Sequence, residues 1–251
     1  MLNILLSGCT GQMGRVVAAL AAQHKDTQIL AGIDPGGDSS LSKFPVFASP
    51  ADFSGKADII IDFSHPNALA GLLEYAVSHR TPAVICTTGL VDAQVNLVRR
   101  AADRIPVFFS ANMSLGVNLL KVLAQRAAQI LGATFDIEIV EAHHNQKVDA
   151  PSGTALMLAD AIHEILPDTH YVYDRSQVRR KRDKKEIGIS AIRGGTIVGE
   201  HEVIFAGHSE VLKLSHSAQS KELFAAGALN AAAFLRAQQP GLYDMRDMIS
   251  I

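Results

Sequence analysis

The chain has 251 residues, a net charge of −2, 48% hydrophobic residues and only two cysteines. This composition excludes a disordered chain, a disulfide scaffold, and a nucleic-acid or anionic-membrane binder attracted by overall positive charge. The apolar stretches are far shorter than the ~20 residues that cross a membrane, and the N-terminus lacks the basic segment of a signal peptide. We therefore expect a cytoplasmic α/β protein with one large domain or two small ones.

The first half of the sequence alternates between short apolar strands and helices. Strands are predicted at residues 3–7, 28–34, 58–63, 83–86 and 106–109, with helices at 12–24, 66–79 and 93–104. Such alternation predicts a parallel sheet with helices on both faces.

After residue 112 the pattern changes. Helices are predicted at 115–131, 152–166 and 221–237, and strands at 135–142, 187–192, 196–205 and 211–216, the last three antiparallel. We predict an α/β protein with two domains. A Rossmann-like, parallel-sheet dinucleotide domain spans residues 1–112 and 219–251. An α+β substrate and oligomerisation domain with a mixed or antiparallel sheet spans residues 113–218.

Three glycines follow the first predicted strand and open the first predicted helix, in the run Gly8-Cys9-Thr10-Gly11-Gln12-Met13-Gly14. Glycines at such a turn let the backbone approach a pyrophosphate at the helix N-terminus. Asp34, which ends the second strand, can accept hydrogen bonds from ribose hydroxyls. The pattern predicts dinucleotide binding, with a structural turn as the alternative. A phosphate-binding NTPase loop is disfavoured, because no Gly-Lys-Ser/Thr follows.

A second polar segment, residues 141–154, leaves a predicted strand, crosses a loop and enters a helix. His143, His144 and Lys147 lie within five residues of one another, where they can hold an anion and move protons. A solvated loop is the alternative. A metal site is disfavoured because neither cysteine is near in sequence.

The helix that follows adds a further anion-binding feature. Ser152 can cap its N-terminus, and the amides of Gly153 and Thr154 would face an anion. One loop could therefore hold two carboxylates and offer a proton.

Six of the seven residues from Arg179 to Lys185 are cationic. We expect a solvated loop, with attraction of an anionic substrate or coenzyme as the alternative. Nucleic acid is not an expected partner, because no aromatic residue interrupts the run and the whole chain is acidic.

The predicted antiparallel strands are expected to expose an apolar face formed by Ile187, Ile189, Ala191, Val203 and Phe205. Exposed faces of this kind risk aggregation unless another subunit covers them. The pattern therefore predicts assembly.

Residues 141–154 resemble the signature of the dihydrodipicolinate (4-hydroxy-tetrahydrodipicolinate) reductase family. The resemblance covers nearly the whole chain and includes Gly8–Arg15, Asp62-Phe63-Ser64, Thr87-Thr88-Gly89, Ala111–Ser114, Gly199-Glu200-His201 and Gly241–Met245. It implies an enzyme of bacterial lysine and diaminopimelate biosynthesis that reduces a cyclic unsaturated dicarboxylate with NADH or NADPH. It also implies a homotetramer joined through the second domain, and no metal.

The resemblance further implies roles for individual residues. His143 matches the acid/base, Lys147 the proton donor, and His144, Ser152, Gly153 and Thr154 the substrate contacts. The expected coenzyme contacts are Gly8, Cys9, Thr10, Gly11, Gln12 and Met13 at the pyrophosphate, Asp34 at the adenosine ribose, and Cys86, Thr87, Thr88, Ser110, Ala111, Asn112 and Met113 at the nicotinamide.

Three residues depart from the family pattern. Cys86 replaces a glycine, Gln12 replaces an arginine, and Pro35 stands where some relatives carry an arginine. The last departure favours NADH over NADPH. Two rival functions stay open: another nicotinamide-linked dehydrogenase, and a dinucleotide sensor without catalysis, which would have no need of the clustered histidines and lysine.

Overall fold

The structure is a computed structural model that describes residues 1–36, 42–176 and 179–249. The chain divides into two compact units. The first comprises residues 1–115 and 221–251, and the second comprises residues 116–220. Within the described ranges, no helix is both long and apolar enough to cross a membrane.

The elements alternate through the first unit and then change character, as the sequence pattern predicts. The strands are β1 (Leu2–Ser7), β2 (Thr27–Ile33), β3 (Val46–Phe47), β4 (Ile59–Asp62), β5 (Ala83–Ile85), β6 (Pro106–Phe109), β7 (Asp136–His143), β8 (His170–Val172), β9 (Glu186–Arg193), β10 (Gly199–Ala206), β11 (Val211–Ala218) and β12 (Gly241–Tyr243). The helices are α1 (Gln12–Ala21), α2 (Leu69–Ser78), α3 (Asp92–Ala102), α4 (Leu115–Leu131), α5 (Gly153–Ile165), α6 (Glu222–Leu235) and α7 (Met245–Met248).

The first unit is built on a parallel sheet of seven strands in the order β12-β6-β5-β4-β1-β2-β3. This is the Rossmann order, 3-2-1-4-5-6, with one strand added. Helices α1 and α6 cover one face, and α2 and α3 cover the other. The consecutive residues Ile4, Leu5 and Leu6 are therefore all fully buried, which explains why β1 is apolar without alternation. The predicted Rossmann-like fold is confirmed.

The second unit contains a mixed sheet in the order β11-β10-β7-β9-β8. Strand β10 is antiparallel to β11 and β7, whereas β9 is parallel to β7 and β8. The expectation that the three strands from 187 to 216 are all antiparallel is therefore wrong for β9. Strand β7 lies between β9 and β10, and its core residues Ile137 and Ile139 have apolar partners on both sides.

The expected exposed apolar face is also wrong for four of its five residues. Ile187, Ile189, Val203 and Phe205 are each at most 2% exposed, because α4 and α5 pack over them. Ala191 is exposed. The opposite face of the sheet carries the accessible apolar side chains Ile192 and Val211, which are 52% and 56% exposed.

The basic run is not simply a solvated loop, because two of its three arginines pair with acidic side chains of the second sheet. Arg182 bonds to Asp136 and Glu138 at 3.1 and 3.0 Å, and Arg180 lies 2.7 Å from the buried Glu186. Arg175, just before the run, also pairs with Glu186, and these hydrogen bonds lower the pKa of Glu186 to about 2. The cations thus compensate charge on β7 and β9.

Candidate active site

The glycine loop between β1 and α1 needs glycine at its first and last positions. Gly8 has a φ of +74°, and a Cβ there would lie 2.5 Å from the carbonyl oxygen of Phe63. A Cβ on Gly14 would lie 2.1 Å from the carbonyl oxygen of Gly8. The loop is therefore compressed against its neighbours, and Gly11 starts α1 without a side-chain cap. This leaves a helix N-terminus suited to an anion.

Asp34 follows β2 and is tied to the glycine loop. Its Oδ2 accepts hydrogen bonds from the amide and the hydroxyl of Thr10, at 3.2 and 2.6 Å. The Thr10 side chain therefore orients the acid that the sequence predicts at the adenosine ribose. The hydrogen bond from the Thr10 hydroxyl to Asp34 could not be predicted from the spacing of the glycines.

Two adjoining cavities lie at the carboxyl ends of the parallel strands in the first unit. One, of about 590 Å³, is lined by Gly8, Gly11, Asp34, Pro35 and residues of α2. The other, of about 420 Å³, is lined by Gln12, Met13, Cys86, Thr87, Thr88, Ala111, Met113, Lys221 and Phe224. Phe63 and Ser64 line both cavities. Two cavities that share part of their lining in a Rossmann-like unit fit the two halves of a dinucleotide.

Four of the expected coenzyme residues, Cys9, Thr10, Ser110 and Asn112, do not line these two cavities. The thiol of Cys9 packs against Gly32 and lines a separate cavity of about 540 Å³, so its side chain is turned away from the two clefts. Ser110 and Asn112 shape the turn before α4. The Ser110 hydroxyl donates to the Asn112 carbonyl at 2.8 Å, and the Asn112 side chain accepts from the Ser114 amide at 2.9 Å.

A polar network that the sequence does not predict surrounds the buried Asp62 and includes Ser64 and Thr87, which line these cavities. Asp62 is fully buried at the end of β4 and accepts hydrogen bonds from the Thr87 hydroxyl at 2.6 Å and the Ser64 amide at 3.1 Å. The Ser64 hydroxyl is buried and has no hydrogen-bond partner within the described part of the chain. An aspartate that directly ends a run of three isoleucines is the sequence signal that marks this network.

In the second unit, His143 stands at the end of β7 and is held from several sides. Its Nδ1 lies 2.6 Å from a carboxylate oxygen of the buried Glu141. Its ring meets that of His201 edge to face at a centroid distance of 5.2 Å. A Cβ added to Gly199 would lie 3.1 Å from Nε2, so this glycine leaves room for the imidazole.

Lys147 lies in the loop after β7 and already contacts a carboxylate. Its Nζ is 2.8 Å from Oδ1 of the exposed Asp149. This hydrogen bond lowers the pKa of Asp149. His144 is partly buried in the same loop, and its carbonyl accepts from the Lys147 amide at 3.1 Å. The Lys147 ammonium therefore lies where it could bind the carboxylate of a ligand in place of Asp149.

Ser152 acts as the N-cap of α5. Its hydroxyl accepts from the Ala155 amide at 3.2 Å and bonds to Nε2 of His201 at 2.9 Å, and the residue is 2% exposed. The side chain is therefore engaged in holding the helix start. Gly153 and Thr154 form the first turn of α5, where backbone amides favour an anion.

His201 is a buried neutral imidazole in this cluster. Burial, reinforced by the neighbouring His143, lowers its pKa to about 4, and burial also lowers the pKa of His216. His201 and His216 stand opposite each other on β10 and β11, and Nδ1 of each is buried without a hydrogen-bond partner in the described chain. Within that same portion, no group of three His, Cys, Asp or Glu side chains could hold a metal ion.

Two family models match the chain, and the second extends past the end of the second unit into α6 and α7, which belong to the first unit. Family models described as dihydrodipicolinate reductase N-terminus and C-terminus match residues 2–113 and 116–249. The 4-hydroxy-tetrahydrodipicolinate reductase of Caldanaerobacter subterraneus subsp. tengcongensis is 50% identical over 250 residues, which cover 99% of this chain and 98% of that protein. The reductase of the same name from Clostridium tetani is 46% identical over 100% of this chain and 98% of that protein.

A solved structure shares the fold. Dipicolinate-bound dihydrodipicolinate reductase from Paenisporosarcina sp. TG-14 superposes with a TM-score of 0.83 at 24% identity, over 99% of this chain and 100% of that one. The Rossmann-like unit, the family model that matches it and the named relatives show an oxidoreductase that uses a nicotinamide coenzyme. The chain belongs to the dihydrodipicolinate reductase family.

The neutral state of His201 makes stability depend on pH. An unfolded chain protonates this histidine below its ordinary pKa of 6.5, whereas the folded protein protonates it only near pH 4. We expect stability to fall as the pH is lowered from 6.5 to 4, with this group contributing on the order of 3 kcal/mol. His216 adds to the effect in the same direction.

Denaturant unfolding at several pH values measures how the free energy of unfolding changes between pH 6.5 and 4. His201→Gln should lose most of this pH dependence, whereas His24→Gln, at an exposed histidine in the first unit, should retain it. Equal slopes in wild type and His201→Gln would show that the imidazole is not held neutral by the fold.

Proposed function

We propose that this chain reduces 4-hydroxy-tetrahydrodipicolinate to tetrahydrodipicolinate in lysine and diaminopimelate biosynthesis, with NADH or NADPH as the hydride donor. The supporting observation is the segment from His143 to Thr154. It combines a carboxylate-bound imidazole, a lysine within reach of a carboxylate, and a helix start. Two relatives that carry the substrate in their names are 50% and 46% identical to this chain.

The substrate is a dianion, so the site must replace the water around two carboxylates. Lys147 and His144 supply donors for one carboxylate, and the first-turn amides of α5 at Gly153 and Thr154 supply donors for the other. The contact between Lys147 and Asp149 supports this assignment, because a substrate carboxylate would replace the Asp149 carboxylate beside Nζ. The Paenisporosarcina relative is named as bound to dipicolinate, a planar dicarboxylate.

The chemistry divides between coenzyme and protein. The nicotinamide supplies the hydride to an electron-poor ring carbon, and the protein supplies orientation, charge complementarity and a proton. His143 and Lys147 are the two proton donors that we propose for this step. A sensor without catalysis would bind the dinucleotide but would not need this pair next to an anion site.

Loss of reduced-nicotinamide absorbance, with freshly generated synthase product as substrate, measures the activity. His143→Ala and Lys147→Ala should each lower kcat by about 10²–10⁴-fold, because each removes a proposed proton donor. Coenzyme affinity should hardly change, because neither residue belongs to the glycine loop. His208→Ala, at an exposed histidine of the second unit, is the matched control. Turnover at the wild-type rate in both test variants would refute the mechanism.

We further propose that NADH is preferred over NADPH. A 2′-phosphate would approach the Asp34 carboxylate, and like charges at ~4 Å cost about 4 kcal/mol near a surface. The next residues, Pro35 and Gly36, offer no cation, while Gly37 and Asp38 lie outside the described residues. Arg15 on α1 and Lys43, the next lysine along the chain, line the separate cavity beside Cys9 and not the one beside Asp34, and a contact from either to the phosphate would make the preference moderate.

The expected kcat/KM for NADH is at least several-fold above that for NADPH. Pro35→Arg should narrow the gap, because an arginine there can pair with the phosphate. Gln23→Arg adds the same charge at an exposed position and should leave the ratio unchanged. A wild-type preference for NADPH would show that another cation reaches the phosphate.

We also propose a cytoplasmic homotetramer that binds neither nucleic acid nor membrane. Ile192 and Val211 on the second sheet are accessible apolar groups that a partner subunit would cover. Light scattering at micromolar concentration should give four times the chain mass, and Ile192→Lys should reduce it. A monomeric wild-type mass would contradict this assembly.

A further inference from the structure

The buried carboxylate of Glu141 joins three chain segments of the candidate site. Glu141 is 0% exposed and accepts hydrogen bonds from Nδ1 of His143 at 2.6 Å and from the amide of Ser152 at 3.0 Å. It also receives two bonds from the guanidinium of Arg193, at 2.8 and 2.7 Å. These contacts link the end of β7, the start of α5 and the end of β9.

The protonation state of Glu141 follows from these contacts. Burial opposes its ionisation, but the hydrogen bonds from Arg193, His143 and Ser152 outweigh burial and lower its pKa. The carboxylate is therefore charged at neutral pH and accepts hydrogen bonds at both oxygens. A carboxylate facing an imidazole nitrogen requires a proton on that nitrogen.

We propose that Glu141 and Arg193 are positioning residues that fix the imidazole of His143 with its proton on Nδ1, leaving Nε2 as the nitrogen that exchanges protons with the substrate. Arg193 holds the carboxylate by a bidentate pair and also donates to the carbonyl of Asp149 at 2.7 Å, in the loop that carries Lys147. Gly199 leaves space beside Nε2. This inference rests on the proposed role of His143 in proton transfer.

The charged and titratable groups around His143 come from several elements. Glu141 is on the same strand, Arg193 on β9, and His201 on β10. His201 is neutral near pH 7, because burial lowers its pKa to about 4. Of these groups, Glu141 makes the direct hydrogen bond to the His143 ring.

Nitrogen-15 NMR of histidine-labelled wild-type protein at about pH 8 tests the tautomer without any substitution. His143, assigned by comparison with His143→Ala, should carry its proton on Nδ1. A proton on Nε2 with a bare Nδ1 would overturn the proposal, whatever the enzyme's activity.

Glu141→Gln tests the effect on catalysis. The variant should lower kcat by about 10²–10⁴-fold and leave coenzyme affinity unchanged, because the imidazole is present but no longer held in the productive tautomer. Its NMR spectrum should show loss of the fixed Nδ1–H form. Glu138→Gln is the matched control, since Glu138 also pairs with arginines but on the opposite face of β7.

Removing one partner of a buried pair can prevent folding, so Glu141→Gln/Arg193→Met removes both charges together. A folded single or double variant with kcat within twofold of wild type would overturn the proposal. If His143→Ala itself keeps full activity, the proposed function of His143 fails, while the wild-type tautomer measurement still decides the geometry. Loss of folding in both variants leaves the decision to that wild-type measurement.

Discussion

One ion pair, between the buried Glu141 and the half-buried Arg193, holds together the segments that carry the proposed catalytic residues of the second unit. Taking a carboxylate fully out of water is costly, and this one is compensated because His143 and the Ser152 amide bond to it as well as Arg193. Removing Arg193 would leave the buried carboxylate without its compensating charge, at a cost of about 3–5 kcal/mol. The same contacts that compensate the charge therefore fix the end of β7, the start of α5 and the imidazole between them.

In the first unit, the shape of the proposed coenzyme site depends on close contact between backbone segments as well as on a buried charge. Gly8 and Gly14 bring the loop and α1 against neighbouring backbone, so that the helix N-terminus opens towards the cavities. Thr10 holds Asp34, and Thr87 holds the buried Asp62, so acids at the ends of two strands are oriented before any ligand binds. Preorganised groups of this kind lower the entropic cost of binding a long, flexible coenzyme.

The Rossmann-like sheet could be predicted because its strands are apolar runs followed by glycine or polar residues. The strand order of the mixed sheet could not be predicted, because β7 pairs with β9, a strand far from it in sequence. The very short strands β3, β8 and β12 carry too few residues for a periodic signal. In the sequence, Glu141 is only the first residue of the polar segment 141–154. Yet alternation from Ile137 and Ile139 puts it on the buried face, where an acid requires partners.

The proposed site of the second unit binds a planar dicarboxylate through Lys147 and the start of α5. Calorimetric titration of pyridine-2,6-dicarboxylate into the protein saturated with NADH measures this binding. We expect one bound molecule per chain, with affinity at least tenfold weaker in Lys147→Ala and unchanged in Lys181→Ala, at an exposed lysine of the basic run. Equal affinity in wild type and Lys147→Ala, or no binding to wild type, would contradict this site.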